Sequence, residues 1–371
     1  MNASTLPQEN YRDMAVDAAR DAAREAVHDL EMIKAASALT RDLLTAKPAI
    51  YWADFLTSAL VGYGTLAATV SMAADPSFPL LAPLIAAFVS ILALYRAGSF
   101  IHELTHIKRR DVPGFHLAWN ILIGIPLMIP SFMYEGIHNQ HHMPRRYGTA
   151  DDPEYLPLAL MKPYTVPLFV LVSALGPFGM LIRYALLAPL SLPSPALRRI
   201  VVERYSGLVI NPEFRRRNPE GEEASRWIML EIATSIWAIA LLAATAFQII
   251  PFAAFAIFLA IASGTMVINQ IRTLVAHLWE NDGAVMTATE QYLDSVNVPP
   301  PATLPELWAP VGLRYHALHH LLPGVPYHNL GEAHRRLVAA LPIESRYHAA
   351  NHTGLGGLVT RLVKSSFTRG R

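Results

Sequence analysis

Leu313–Leu330 reads LRYHALHHLLPGVPYHNL, and its histidines decide how the rest of the chain is read. His316, His319 and His320 repeat the spacing of His138, His141 and His142 in HNQHH, and His102 and His106 in HELTH complete the set. These three boxes hold eight of the 15 histidines, and each lies beside a long apolar run. Imidazole is the commonest protein ligand for iron, zinc and copper, and it is too polar to gather against a membrane without a partner. On a helix, residues at i and i+4, or at i, i+3 and i+4, share one face, so each box aims its nitrogens together. Zinc usually takes four protein ligands, whereas two irons would each take four or five. Eight nitrogens therefore point to a dinuclear centre.

Composition places the chain in a membrane. Of 371 residues, 53% are hydrophobic and only 16% charged, with a mean hydropathy of +0.29; soluble domains carry about 25% charged residues. The absence of cysteine excludes disulfides, a thiolate nucleophile and an iron–sulfur cluster held by this chain. The first 47 residues lack the apolar core of a signal peptide. Residues 8–34 mix alanine with both charge signs, and Met14, Val27, Leu30 and Ile33 could form the stripe of an amphipathic helix. His28 lies in this stretch and is read as incidental.

Four runs are long enough to cross about 30 Å of hydrocarbon. They are residues 51–72, 79–100, 228–248 and 251–271, forming two hairpins. The second run delivers the chain into His102, so the first box lies on the side of the N-terminus. Leu117–Tyr134 is also apolar, yet crossing there would put a membrane thickness between the first and second boxes. Pro126 and Pro130 further disfavour a straight helix. A re-entrant or interfacial segment is expected, and likewise over Val166–Leu192, which is broken at Gly176–Gly179 and carries Arg183. The outer turns 73–78 and 249–251 contain no Lys or Arg, whereas Lys108, Arg109, Arg110, Arg145, Arg146, Arg198 and Arg199 fall on the box side, as the positive-inside rule requires. The expected fold is an all-α integral membrane protein with four transmembrane helices and a histidine-rich cytoplasmic cap. Its regions are an N-terminal segment 1–48, a membrane domain 49–337 and a C-terminal tail 338–371.

The three boxes in this order, with hydrophobic spans around them, resemble the membrane-bound fatty acid desaturase and hydroxylase superfamily over roughly Trp52 to Leu337. HNQHHMPRRYGTADDPEY is similar to the continuation of that family's second box, and HHLLPGVPYHNL to that of its third. The resemblance implies a di-iron site ligated by His102, His106, His138, His141, His142, His316, His319 and His320. It adds a ninth ligand at the end of the last span, where His277 stands. Thr273 occupies the place where some acyl desaturases carry an asparagine. The implied activity is O2-dependent oxidation of an unactivated C–H bond in a fatty-acyl or lipid-like chain, with desaturation favoured by the third box and hydroxylation as the alternative. Two Fe ions and O2 are the implied cofactor and co-substrate. Electrons would come from a ferredoxin or a cytochrome b5-like carrier with its reductase, docking on Lys108–Arg110, Arg145 and Arg146, although that basic patch also serves as ordinary positive-inside charge. No nucleic-acid partner is expected. The implied location is the bacterial inner membrane, with termini and site cytoplasmic.

Metal-bound imidazoles commonly donate their second N–H to a carboxylate, and Asp151, Asp152, Glu280 and Asp282 are the nearby candidates. His116, His348 and His352 lack partner spacing and are read as structural. His328 and His334 follow the third box and are candidates for outer contacts rather than ligands. HELTH also fits the H-E-x-x-H of zinc metalloproteases with Glu103 as general base; that reading leaves six box histidines unexplained. A metal transporter would line its spans with polar groups, whereas here they cluster at span ends.

Overall fold

A computed structural model describes residues 27, 29–302 and 304–369. Met14, His28 and most of the N-terminal amphipathic stretch lie outside them. The described chain is helical, with isolated bridges such as His277 to Ser295 in place of strands.

Five helices are long and apolar enough to cross a membrane: α1 Pro48–Ala74, α2 Leu81–Leu104, α3 Thr165–Ser191, α4 Gly221–Ala246 and α5 Phe252–Leu274. Pro48 starts α1, where its missing N–H costs nothing and its fixed φ is already helical. After α1, the Asp75 carboxylate accepts the Ser77 N–H at 2.9 Å and turns the chain into α2. A methyl group built on Gly62 would lie 2.6 Å from Leu94 Cδ2, and Ser90 Oγ donates to Gly62 O at 2.8 Å. Small residues let membrane helices approach this closely. The outer faces are apolar and bare, with Leu60 and Leu81 exposed by 76% and 65%. A protein dissolved in hydrocarbon gains nothing by hiding such side chains from its solvent.

Helices α1, α2, α4 and α5 overlap the four stretches expected to span, with ends that differ by up to seven residues. The segment expected to be interfacial over Val166–Leu192 is a longer helical run than anticipated, with 3-10 turns at Val172–Leu175 and a π segment at Ile182–Leu187 instead of a break. Near its start Phe169 meets Trp279, and further along Arg183 donates to Tyr205 O. Arg183 is buried in a cluster with Ser206 and Glu231, and Arg198 pairs with Glu231 at 2.7 Å. The Leu117–Tyr134 region is short and broken as expected, a helix Phe115–Trp119 running into a π turn.

Above the spans sits the cap. Helix α6, His316–Leu321, carries the third box, followed by α7, Tyr327–Ala340, and α8, Leu355–Arg369. A helix over 29–39 packs Met32 and Ala36 against Tyr292, Tyr315, Leu337 and Tyr347. Val27 and Leu30 of the expected stripe are exposed, because the cap meets the neighbouring face of this helix. Asp54 joins cap to spans: it pairs with Arg96 at 2.6 Å and accepts the Tyr327 hydroxyl at 3.0 Å. Within the expected tail, α8 sets Leu362 among Leu274 and Trp279.

Candidate dinuclear metal site

Each box takes its shape from where an element ends. His102 sits in the last turn of α2 and His106 just beyond it; His138, His141 and His142 occupy the one-turn helix His138–His141 and its C-cap; the third box is α6 itself. Helix α5 stops at Leu274, and the following loop turns through Trp279, at φ 62°, to present His277.

The nine histidines fall into two groups. His102, His106, His138, His142 and His319 form one, and His141, His277, His316 and His320 the other, with ligand atoms inside each group all within 4.8 Å of one another. Each group takes histidines from the second and third boxes. His142 Nε2 is 2.9 Å from His138 Nε2 and 3.1 Å from His319 Nε2, while His316 Nε2 is 3.1 Å from His277 Nε2 and 3.2 Å from His320 Nε2. Two nitrogens each about 2.0–2.1 Å from a shared ion, at octahedral to tetrahedral angles, stand roughly 2.9–3.4 Å apart. Nε2 of His102 and of His106 is buried and makes no hydrogen bond among the described residues. The donor set therefore fits two ions, and neither group contains a carboxylate. The rings of His142 and His320 stack at 4.3 Å across the boundary between the groups.

The environment keeps these imidazoles neutral, the form that binds metal. Burial, and after it the crowding of like rings, holds His138, His142, His316, His319 and His320 well below the usual imidazole range. Burial and the adjacent His141 do the same to His277, and burial alone brings His106 down to about 4. His141 is the exception. Burial opposes its charge too, but the Asp152 carboxylate outweighs that and raises it.

Outer partners fix the tautomers. Asp152 accepts from His141 Nδ1 at 2.9 Å, and Glu154 from His138 Nδ1 at 3.1 Å, leaving each Nε2 lone pair facing inward. His277 Nδ1 meets the Tyr147 hydroxyl at 2.8 Å, which in turn donates to Asp294 Oδ2 at 2.8 Å. Burial raises Glu154 to about 7 and Asp294 to about 6. Of the acidic residues expected here only Asp152 is in place. Asp151 and Asp282 are exposed, and Glu280 pairs with Arg361 and Arg369, because the loops carrying them turn outward. Glu154, Asp294, Tyr134, Tyr147 and Arg272 were not identified from sequence. Glu154 alone carried a usable signal, lying two residues beyond Asp152 in the same acidic stretch.

Glu103 Oε1 lies 3.9 Å from His102 Nδ1, while its Oε2 is engaged, accepting the Tyr51 hydroxyl at 2.5 Å and the Tyr327 N–H at 3.3 Å. A metalloprotease base would need that carboxylate free beside the ion. His328 accepts the Lys47 N–H, His334 meets the Tyr347 hydroxyl and His348 meets Pro342 O. His116 and His352 also lie outside both groups.

An all-helical membrane scaffold with two clusters of buried imidazoles at the end of its spans defines the class: a histidine-box membrane oxidoreductase. The chain belongs to the fatty acid desaturase family, whose sequence profile matches residues 76–350. It is similar to the ceramide hydroxylase of Caulobacter vibrioides (strain NA1000 / CB15N), with 49% identity over 329 residues, covering 88% of this chain and 92% of that protein. No solved structure matches it.

Proposed function

We propose that this protein hydroxylates an unactivated C–H bond in the acyl chain of a ceramide-like lipid, using O2 and two irons held by the nine histidines. The pairing of two all-imidazole groups carries this reading, supported by the hydroxylase relative. The irons supply the activation of O2 that no side chain can provide. The balance is one oxygen atom into the C–H bond and the other released as water, with two electrons and two protons taken up.

The chain's own residues hold and shield that chemistry. Buried neutral imidazoles offer lone pairs without first losing a proton. Asp152, Glu154 and the Tyr147–Asp294 pair fix ring orientation, and the spans keep the acyl chain in an apolar medium until it reaches the cap. Electrons come from outside: without cysteine the sequence holds no iron–sulfur cluster, and it shows no flavin fingerprint, haem-attachment motif or cytochrome b5-like segment. The exposed Lys108, Arg109, Arg110 and Arg145 suit an acidic ferredoxin or a cytochrome b5-like carrier. With these basic residues facing the cytoplasm, the site and both termini lie on that side of a bacterial inner membrane.

The test is metal analysis of the purified protein together with lipid mass spectrometry on cells with and without it. Two irons and lipids gaining one oxygen atom are expected. Loss of two hydrogens instead would establish desaturation, the second reading that the family profile favours. One zinc with peptide cleavage would replace both with the protease.

A further inference from the structure

Beside the metal site, at the polar edge of the spans, lies a cavity of about 70 Å³, room for about two groups the size of water at roughly 30 Å³ each. Its walls include Arg109, His116, Glu135, Arg226, Trp227 and Met229. Two of these walls adjoin the histidine groups. His116 Nε2 meets Leu104 O at 3.0 Å, between His102 and His106 in the chain. Glu135 follows Tyr134, whose hydroxyl is 2.9 Å from His138 Nδ1.

Three buried polar atoms of this lining have no hydrogen-bond partner among the described residues: His116 Nδ1, Trp227 Nε1 and Glu135 Oε1. His116 and Trp227 are 5% and 1% exposed, so bulk solvent does not serve them. Since a carbonyl only accepts, His116 Nε2 carries the proton, and Nδ1 of the neutral ring is an acceptor awaiting a donor. The indole Nε1 is a donor awaiting an acceptor. A hydroxyl group supplies both, as does an amide with its N–H and C=O. A phosphate offers acceptors alone. The charged lining is also balanced, Arg109 and Arg226 against Glu135 and Glu223, and such a site has no net field to draw an anion.

The cavity has one wall in common with the lipid-facing side of α4. Met229 also lines an open groove on the bilayer face of α4, together with Ile228, Ile232 and Ile236. A water pair would satisfy the polar end and leave this groove unexplained; a head group with an attached hydrocarbon chain uses both.

We propose that this cavity binds the hydroxyl or amide group in the head of an uncharged lipid, one of whose chains lies along α4 in the bilayer. The proposal rests on the lipid-oxidation reading above and adds the place where the substrate's head is recognised.

Trp227→Phe tests it in the full-length enzyme, because it removes the indole N–H while keeping a ring to stack on Phe132. With a short-chain ceramide as substrate, KM rises about five- to tenfold, the size of one lost hydrogen bond, while iron content stays at the wild-type value. Trp237→Phe, which removes an indole N–H bonded to Pro126 O on the same helix, leaves KM unchanged. An equal KM in Trp227→Phe and wild type identifies a water-filled structural cavity and overturns the proposal. As a measurement independent of any variant's folding, a ceramide carrying a photoreactive group in its head is cross-linked to the wild-type enzyme. Adducts in the peptides around His116 or Trp227 are expected, and adducts only elsewhere overturn the site. Failure here with hydroxylated lipid still formed removes the head-group site alone; absence of any hydroxylated lipid removes the underlying reading.

Discussion

Arg272 Nη2 lies 3.3 Å from His316 Nδ1, and the Arg272 Nε is buried without a hydrogen-bond partner among the described residues. The guanidinium is always charged, so this contact sets a fixed positive charge against a ring in the second histidine group. A cation about 7 Å from an ion, at an effective dielectric of about 20, is worth roughly 2 kcal/mol. Its effect is to disfavour the more oxidised ion. Arg272→Gln should lower the reduction potential of the iron-loaded protein while two irons remain bound. A potentiometric titration with an unchanged midpoint would reject this role.

The two histidine groups predict separable defects. His319→Ala opens the first group and His320→Ala the second, so each should reduce bound iron from two to about one and abolish product formation. Membrane insertion should be unaffected, because both residues lie in the cap. Iron counting on purified variants checks this, and full occupancy in either one would show that the groups have been drawn wrongly.

The Tyr147–Asp294 pair holds His277 from behind. Loss of an outer partner typically costs 10–100-fold in metal affinity or activity, and Asp294→Asn and Tyr147→Phe should each fall in about that range. Glu280→Gln should change little, since that carboxylate is engaged with Arg361 and Arg369 at the surface. Iron retention against a graded chelator separates these outcomes.

Acid should destabilise the metal-free protein. His106 is held at about 4, against an ordinary 6.5, so between those values the unfolded chain binds more protons than the folded one. Stability from this source is complete above about pH 6.5 and is lost as pH falls toward 4. The lowered imidazoles of both groups act with the same sign and outnumber the groups that oppose them, His141 and the raised carboxyls of Glu154 and Asp294. Thermal unfolding of the iron-free protein should show Tm dropping over that interval. A flat profile would mean that the rings are hydrated when no metal is bound.

Close packing of α1 on α2 supplies a stability test away from the chemistry. Gly62→Ala places a carbon 2.6 Å from Leu94 Cδ2, and overpacking of this kind costs about 1–3 kcal/mol. Unfolding in mixed micelles should register the loss with iron content unchanged, whereas Gly64→Ala, which meets nothing within 4 Å, should be neutral apart from its gain in helix propensity.

Residues brought together by a short repeat were legible in the sequence, and those brought together only by the fold were not. The eight box histidines announce themselves because helical periodicity makes neighbours of residues three and four apart. His277 has no such partner in sequence, and the family resemblance alone singled it out. Asp294 is 147 residues from Tyr147 and 17 from His277, separations that carry no pattern. The hydrophobic runs gave the spans, since length and apolarity are local properties. How deeply α3 is buried against its neighbours depends on contacts such as Ser263 Oγ to Ala174 O, which no composition reports.

Because the third box contributes to both histidine groups, neither can be completed while the ribosome is still translating toward His316. A nascent chain stopped after its last span already carries His102, His106, His138, His141 and His142, yet lacks His319 of the first group and His277, His316 and His320 of the second. Completion of either donor set is thereby deferred until nearly the whole polypeptide has emerged, so truncated products carry only partial sets of imidazoles.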